Sequence, residues 1–444
     1  MAPITGFFGA NSSGKTGILQ LLLLIKQTIE STDRSRVLHP GDEYSYVDLG
    51  TFFDLLHSHT LPGQLVLETS WSLIPPLSID DPESGPKREL FALPNLSFVT
   101  KIGIDNHHVG VDEFTYSFFQ SNQSYRFGMK LMEAAKRTEG EAKYELLIDG
   151  YEAKRTRGRG WPLPNPVKCY GFPDQVNAYY QNIGFLSEFV LAFEQLFQNV
   201  FYLGPLREYP HRSYIWAGSP PEGVGSRGQN TIPALLAARE QGKMISRGKG
   251  RKRQTVDERV ADWLRKLDLI DSFVLRTIAP NRKEFEVRVK RFASSSEVSL
   301  TDVGFGVSQI LPVLTLCYYA PEGSTIILEQ PEIHLHPSVQ AGLADVFIDV
   351  VKTRNLQLIV ESHSEHLLRR LQRRIAEEKL PPEKMALYFI VMEASASKIE
   401  ALSLDAYGNI SNWPKNFFGD EFGELAAMTE AAMVRQLNSG KKRA

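Results

Sequence analysis

Cysteine is nearly missing from this chain: Cys169 and Cys317 are the two thiols among 444 residues. Two cysteines so far apart suggest neither a disulfide framework nor a zinc site, and they suit the reducing cytoplasm. Net charge is missing as well, since 50 Lys and Arg face 52 Asp and Glu. That balance excludes a surface built throughout for nucleic acid, so any contact with a phosphate backbone is expected to be local. Long apolar runs are also lacking. The longest, residues 19–25 and 310–320, fall short of the roughly 20 residues that a bilayer span takes, and no membrane partner is expected. No internal repeat, heptad run or long low-complexity tract occurs, which excludes a long coiled-coil arm.

What is present begins at once. Gly9-Ala10-Asn11-Ser12-Ser13-Gly14-Lys15-Thr16 fits G-x-x-x-x-G-K-[ST] in full, between a strand-like apolar run (4–8) and a helix-like one (17–26). Binding a phosphate takes backbone N–H donors, a cation and a hydroxyl able to reach magnesium. Here Gly9 and Gly14 permit the tight wrap past Asn11, Ser12 and Ser13, Lys15 reaches the β- and γ-phosphates, and Thr16 ligates the metal at the positive end of a helix. A chance Gly/Ser-rich turn would explain the composition, but not the strand and helix on either side. ATP and Mg2+ are the expected cofactors.

Residues 64–153 mostly alternate apolar and polar between Pro, Gly and Asn punctuation, which predicts antiparallel strands. Residues 177–200 turn helical, with Phe185, Phe189, Phe193 and Phe197 spaced by four, an aromatic stripe that reads as core. A strand over 200–204, a Pro- and Gly-rich loop and a helix over 230–241 follow. Thr255-Val256-Asp257-Glu258 is a capping box opening another helix. From residue 272 the rhythm is strand and helix in alternation: strands over 284–290, 325–328, 356–360 and 386–391, helices over 306–320, from Pro337 and over 365–376, with a last helix over 421–437.

The segment Thr325-Ile-Ile-Leu-Glu-Gln-Pro-Glu-Ile-His-Leu-His-Pro337 is a buried strand ending in carboxylates, the place where a phosphate-loop ATPase puts its magnesium partner. Farther on, Val360-Glu-Ser-His-Ser364 sets His363 and Ser364 at the carboxyl end of the next strand, the edge where α/β sheets bind ligands.

Four features stand in order: the phosphate loop, Ser299-Leu-Thr-Asp-Val-Gly-Phe-Gly-Val-Ser-Gln309, LEQPEIHLHP, and the His after the following strand. In this order they resemble the ABC-type ATPase heads of the SMC, RecF and OLD group, and especially bacterial AAA-type ATPases of anti-phage defence whose strand reads like DEPExxLHP. The resemblance implies an α/β fold: a P-loop ABC-type head with a mixed or parallel sheet flanked by helices, plus an antiparallel β and helical insertion. It implies lobes at 1–99 and 271–420, an insertion at 100–270 and a C-terminal helix with a basic tail at 421–444. By the same resemblance Gly304, Gly306, Ser308 and Gln309 contact the γ-phosphate bound by a second subunit, so a homodimer or higher oligomer with composite sites follows.

Two departures from that pattern shape the expectations. The first acid, which binds magnesium through water, is Glu329, but the next position, held by a water-activating Glu in the family, is Gln330, and an amide cannot take a proton. Either Glu332 reaches the water, or hydrolysis is slow and the ATP-bound dimer long-lived. The expected order of loss is Lys15 or Thr16 for binding, and Glu332 or His363 for turnover. Relatives also carry a pair of strands before the phosphate loop. A loop beginning at residue 9 therefore implies a sheet edge left open there.

The basic stretches Lys154, Arg155, Arg157, Arg159 and Lys243, Arg247, Lys249, Arg251, Lys252, Arg253 suit either flexible phosphate contacts or solvated loops. After the core, Glu393, Glu400, Asp405, Asp420, Glu421 and Glu424 form no evident metal-ligand set, so no fused Toprim nuclease is expected. A nuclease of HNH or Toprim-like kind would be a separate effector partner, with residues 100–270 as its docking surface by family analogy. The competing readings are a RecF/SMC-like repair or recombination ATPase on DNA, a transporter subunit, which the antiparallel insertion disfavours, and a structural protein with a dead ATP site.

Overall fold

The computed structural model describes residues 1–84, 88–104, 109–132, 143–158, 160–248, 250–393, 396–414, 417 and 427–433. It packs as two compact units, one formed by residues 1–19 with 199–444 and the other by residues 20–198. The division 1–99, 100–270, 271–420 and 421–444 follows the order of the motifs, whereas packing divides the chain at 19/20 and 198/199. Arg159, Lys249, Asp420, Glu421, Glu424 and most of the helix expected at 421–437 lie outside the described residues.

Strand β1 (Ile4–Gly9) is buried along its whole length and leads into helix α1 (Lys15–Glu30). In the unit of residues 20–198, five strands form a meander in sequence order: β2 (Gly63–Asp80), β3 (Glu89–Ile104), β4 (Val109–Gln120), β5 (Gln123–Leu131) and β6 (Tyr144–Asp149). All its pairings are antiparallel, as the alternation predicts. Helices α2 (Gln175–Tyr179) and α3 (Leu186–Gln198) follow. The aromatic stripe of α3 is core: Phe189 and Phe193 are wholly buried, and Phe193 lies 4.5 Å from Phe98 between ring centroids.

The other unit continues with β7 (Val200–Leu203), β8 (Tyr214–Ile215), α4 (Thr231–Glu240), β9 (Met244–Ile245), β10 (Gln254–Thr255) and α5 (Val256–Lys266). The capping box at α5 forms as expected, with Thr255 Oγ1 accepting from Glu258 N and Thr255 N donating to Glu258 Oε2. Then come β11 (Ser272–Thr277), β12 (Glu284–Lys290), β13 (Val298–Ser299), α6 (Phe305–Tyr319), β14 (Thr325–Glu329), α7 (Pro337–Arg354), β15 (Gln357–Glu361), α8 (Glu365–Ala376), β16 (Met385–Glu393) and β17 (Ala396–Ala401).

Its main sheet has the order β17-β16-β1-β15-β14-β7. Every pairing in it is parallel except the last hairpin, β16 with β17. Strands buried on both faces read as unbroken apolar runs, which is why 4–8, 325–328 and 356–360 were legible as strands. The expected open edge beside the phosphate loop is not there. β1 is flanked by β15 and by β16, since a parallel strand from the far end of the chain satisfies its remaining backbone groups. A smaller sheet of β8, β11, β12 and β13 packs its apolar residues Phe273, Leu275, Val287 and Val289 into the same aliphatic core as α4–α7.

Candidate functional site

The phosphate loop joins the carboxyl end of β1 to the start of α1. Gly9 has φ +144° and a Cβ there would come within 2.3 Å of the Ile390 carbonyl oxygen; Gly14, at φ +93°, would meet Ser397 Oγ at 2.3 Å. Both positions therefore need glycine. Ser12 is also left-handed, at φ +59°. Lys15, 3 % exposed, folds back so that its ammonium donates to the Gly9 and Ala10 carbonyls at 3.1 and 2.6 Å. Burial lowers its pKa, against the attraction of Glu361. The first turn of α1 carries no acid, so nothing in it cancels the positive helix end, and Ser13 Oγ is buried without a hydrogen-bond partner.

Two carboxylates end the neighbouring strands. Glu329 closes β14 and Glu361 closes β15, opposite each other in parallel register. Thr16 Oγ1 donates to Glu361 Oε1 at 3.2 Å, and Tyr202 of β7 donates to Glu329 Oε1 at 3.2 Å. Burial first, and then Glu361, push the Glu329 carboxyl up to about 7. Burial also raises Glu361, against the Thr16 hydrogen bond and Lys15. The sequence reading missed Glu361. Its signal was an acid two positions before His363 at a strand end.

Gln330 turns the chain with φ +43°, its N–H donating to the Glu361 carbonyl at 2.8 Å. Beneath this turn lies Arg207, from the segment Phe201-Tyr-Leu-Gly-Pro-Leu-Arg207. Its guanidinium donates to the carbonyls of Glu329 at 3.3 Å and Gln330 at 3.5 Å. Burial pushes it down to about 10, against the pull of Glu332, Tyr202 and Glu329.

Glu332 is 7 % exposed and its Oε1 accepts from His363 N at 2.7 Å, while Oε2 is buried without a partner. Burial raises its pKa, the direction that suits a proton acceptor working near neutrality. His363 sits just before the N-cap of α8, where Ser364 Oγ accepts from Leu367 N and donates to Gln340 Oε1 at 2.6 Å. Desolvation and Lys15 lower the His363 pKa. The structure thus brings Lys15, Thr16, Glu329, Gln330, Glu332 and His363 to one sheet edge.

The signature segment is placed differently. Gly304 caps α6, and a Cβ on Gly306 would lie 3.9 Å from the His334 carbonyl oxygen. Ser308 and Gln309 face inward, 7 % and 2 % exposed, and the Ser308 hydroxyl donates to the Phe305 carbonyl at 2.7 Å. Of the basic stretches, Lys154 pairs with Glu83 at 2.6 Å, Arg247 with Asp262 at 3.7 Å, and the Lys243 ammonium donates to the Tyr319 carbonyl.

The donor set fits a magnesium nucleotide: hard oxygens at Thr16, Glu329 and Glu361, a helix end, a lysine, and buried oxygens left unpaired at Ser13, Glu332 and Glu361. Among the described residues no group of three or more His, Cys, Asp or Glu forms a metal cluster.

Residues 237–368 match the family described as AAA ATPase domain, and residues 380–428 match a family described as protein of unknown function, DUF3696. The first match makes the chain an ATPase. It spans α6, β14, α7 and β15 and therefore includes Glu329, Glu332 and His363. No curated protein matches the chain. Among solved structures it is similar to an SMC head domain from Thermotoga maritima, at 12 % identity, 90 % of each chain and a TM-score of 0.35. It is also similar to an SMC head from Pyrococcus furiosus bound to the C-terminal domain of ScpA, at 10 % identity, 90 % of each chain and a TM-score of 0.35. At such TM-scores neither likeness carries weight for function. No helix among the described residues is long and apolar enough to cross a membrane.

Proposed function

We propose that this chain is a nucleotide-gated switch: it binds ATP with Mg2+, hydrolyses it slowly, assembles through shared nucleotide sites and controls a separate effector. The observation that carries the reading is the single sheet edge holding Lys15, Thr16, Glu329, Glu332 and His363 with Gln330 in the midst of them. Thr16 and Glu329 would hold the metal, which when bound would supply charge neutralisation for the phosphates. Lys15 leaves the Gly9 and Ala10 carbonyls for phosphate oxygens. Glu332 Oε2 accepts the proton of the attacking water, and the His363 ring donates toward the γ-phosphate. Turnover is slow because Glu332 stands two residues beyond the usual position of the base and already spends Oε1 on the His363 backbone.

Assembly rests on the signature resemblance. Gly304 and Phe305 are exposed and Gly306 half-buried at the start of α6, and their backbone N–H groups would serve a nucleotide held by a second copy. Ser308 joins them once its hydroxyl leaves the Phe305 carbonyl. A bacterial anti-phage defence complex with a nuclease-like effector is the setting that the motif order favours. Direct action on DNA, as in repair ATPases, is the second reading, supported by Arg251, Lys252 and Arg253, whose side chains are exposed.

The test is the mass of the chain with and without ATP and Mg2+, beside phosphate release with and without DNA. An ATP-dependent dimer or larger assembly with slow release is expected, and Lys15→Ala should abolish both. A chain that remains monomeric and silent under all conditions overturns the switch. Tight, salt-sensitive DNA binding that accelerates release moves the assignment to the second reading.

A further inference from the structure

Position 330 bears an amide, and Glu332, the other acid of that turn, has its Oε1 on the His363 backbone, so a second carboxylate beside Glu329 and Thr16 is left to a neighbouring strand. The fold provides one. Glu361 ends β15 in register with Glu329, is 3 % exposed, accepts the Thr16 hydroxyl on Oε1 at 3.2 Å, and keeps Oε2 buried with no hydrogen-bond partner. The Thr16 hydrogen bond accounts for Oε1 alone, and Lys15 is the cation whose attraction the carboxylate feels. Yet the Lys15 ammonium is turned to the Gly9 and Ala10 carbonyls. A buried anionic oxygen without a donor is costly unless a cation completes it.

We propose that Glu361 is a metal-binding residue: with Glu329 and Thr16 it forms an oxygen cradle for the Mg2+ of the bound nucleotide. This rests on the nucleotide reading above. The charge that the family places on consecutive residues of one strand end is divided here between two adjacent parallel strands. The register of β14 with β15 makes this work, because residues paired on adjacent parallel strands, about 4.8 Å apart, bring the Glu329 and Glu361 carboxylates side by side where one small cation would be held by both. Two buried carboxylates also repel a bare triphosphate. Nucleotide without the cation should therefore bind poorly, and the metal should improve its affinity strongly.

The experiment titrates a fluorescent ATP analogue into the full-length chain with EDTA and then with Mg2+. In parallel, Mn2+ binding is followed by electron paramagnetic resonance in the presence of a non-hydrolysable ATP analogue. Glu361→Gln keeps the shape and the acceptor for Thr16. It should leave metal-free nucleotide binding equal or tighter, while Mn2+ affinity falls about tenfold or more and the gain from Mg2+ shrinks in step. Glu361→Asp should recover part of the Mn2+ affinity. If Glu361→Gln keeps the full metal gain, or loses nucleotide equally with and without metal, the residue is structural and the inference is overturned. A wild-type chain that binds no nucleotide under either condition would instead overturn the nucleotide reading itself.

Discussion

The two packing units differ in whether they leave buried carboxylate oxygens unpaired. In residues 20–198 the core is aromatic and its buried polar groups mostly end on backbone. Tyr116 donates to the Tyr170 carbonyl at 3.0 Å and Tyr144 to the Val111 carbonyl at 2.7 Å. The Lys168 ammonium donates to the carbonyls of Ile29 and Ser31. Among the described residues of this unit, the orphaned buried side-chain atoms are Trp71 Nε1 and Thr100 Oγ1, both neutral. In the other unit the orphans gathered at the sheet edge belong to charged groups or to the phosphate loop: Glu332 Oε2, Glu361 Oε2, Arg207 Nε and Ser13 Oγ. Neutral donors cost little when unpaired compared with carboxylates. The orphaned carboxylate oxygens, which among the described residues are found at this edge alone, therefore mark where a ligand completes the structure, and the aromatic unit shows what completion without one looks like.

The sharpest way to break this contrast is a pair of substitutions. Glu332→Gln should slow phosphate release about 10²–10⁴-fold, the usual worth of a positioned base, while nucleotide affinity stays. Because burial disfavours the Glu332 charge, the amide should leave thermal stability unchanged or higher. Phe193→Ala should do the reverse. Emptying a fully buried ring site costs about 3–5 kcal/mol of stability, read by denaturant unfolding, with nucleotide affinity unchanged well below the melting temperature. Equal release rates for Glu332→Gln and wild type would remove Glu332 as the base.

Legibility followed a different divide, between local pattern and long-range register. Strands buried on both faces, the stripe from Phe185 to Phe197 and the capping box at Thr255 are local patterns, and each was readable from its own segment. The phosphate loop, Glu329 and His363 were readable because strand-end position is itself local. Glu361 was not, since its significance comes from the register with Glu329 and from Thr16, 345 positions away. Arg207 was not legible either, since its task of holding the Glu329 and Gln330 carbonyls depends on contacts across 122 and 123 positions. β17 went unread because an edge strand with mostly exposed side chains lacks the apolar run that marks its neighbours.

A smaller effect sharpens the comparison within the ATPase unit. Thr255→Ala removes one half of the capping box at α5, whose helix buries Val256, Val260, Trp263 and Leu264. The cost should be about 1 kcal/mol, measured as a shift of the unfolding midpoint, with phosphate release unaltered. A fall in release of tenfold or more would show that α5 supports the site and not only the core.

The smallest effect concerns Lys243, the basic-stretch residue that the structure turns to internal use. Its ammonium donates to the Tyr319 carbonyl, and burial, aided by Arg354, pushes its pKa down to about 8 from the usual 10.5. The unfolded chain therefore holds a proton here that the folded chain has lost between about pH 8 and pH 10.5. Stability contributed through this group consequently rises with pH across that window and is at its lowest below it. Lys243→Met keeps the stem and removes the titration. The melting temperature of the variant, followed from pH 7 to pH 10, should climb less steeply, or fall more steeply, than that of the wild type. Parallel curves would mean that Lys243 titrates as a solvated lysine, which would return it to the basic surface as a candidate phosphate contact.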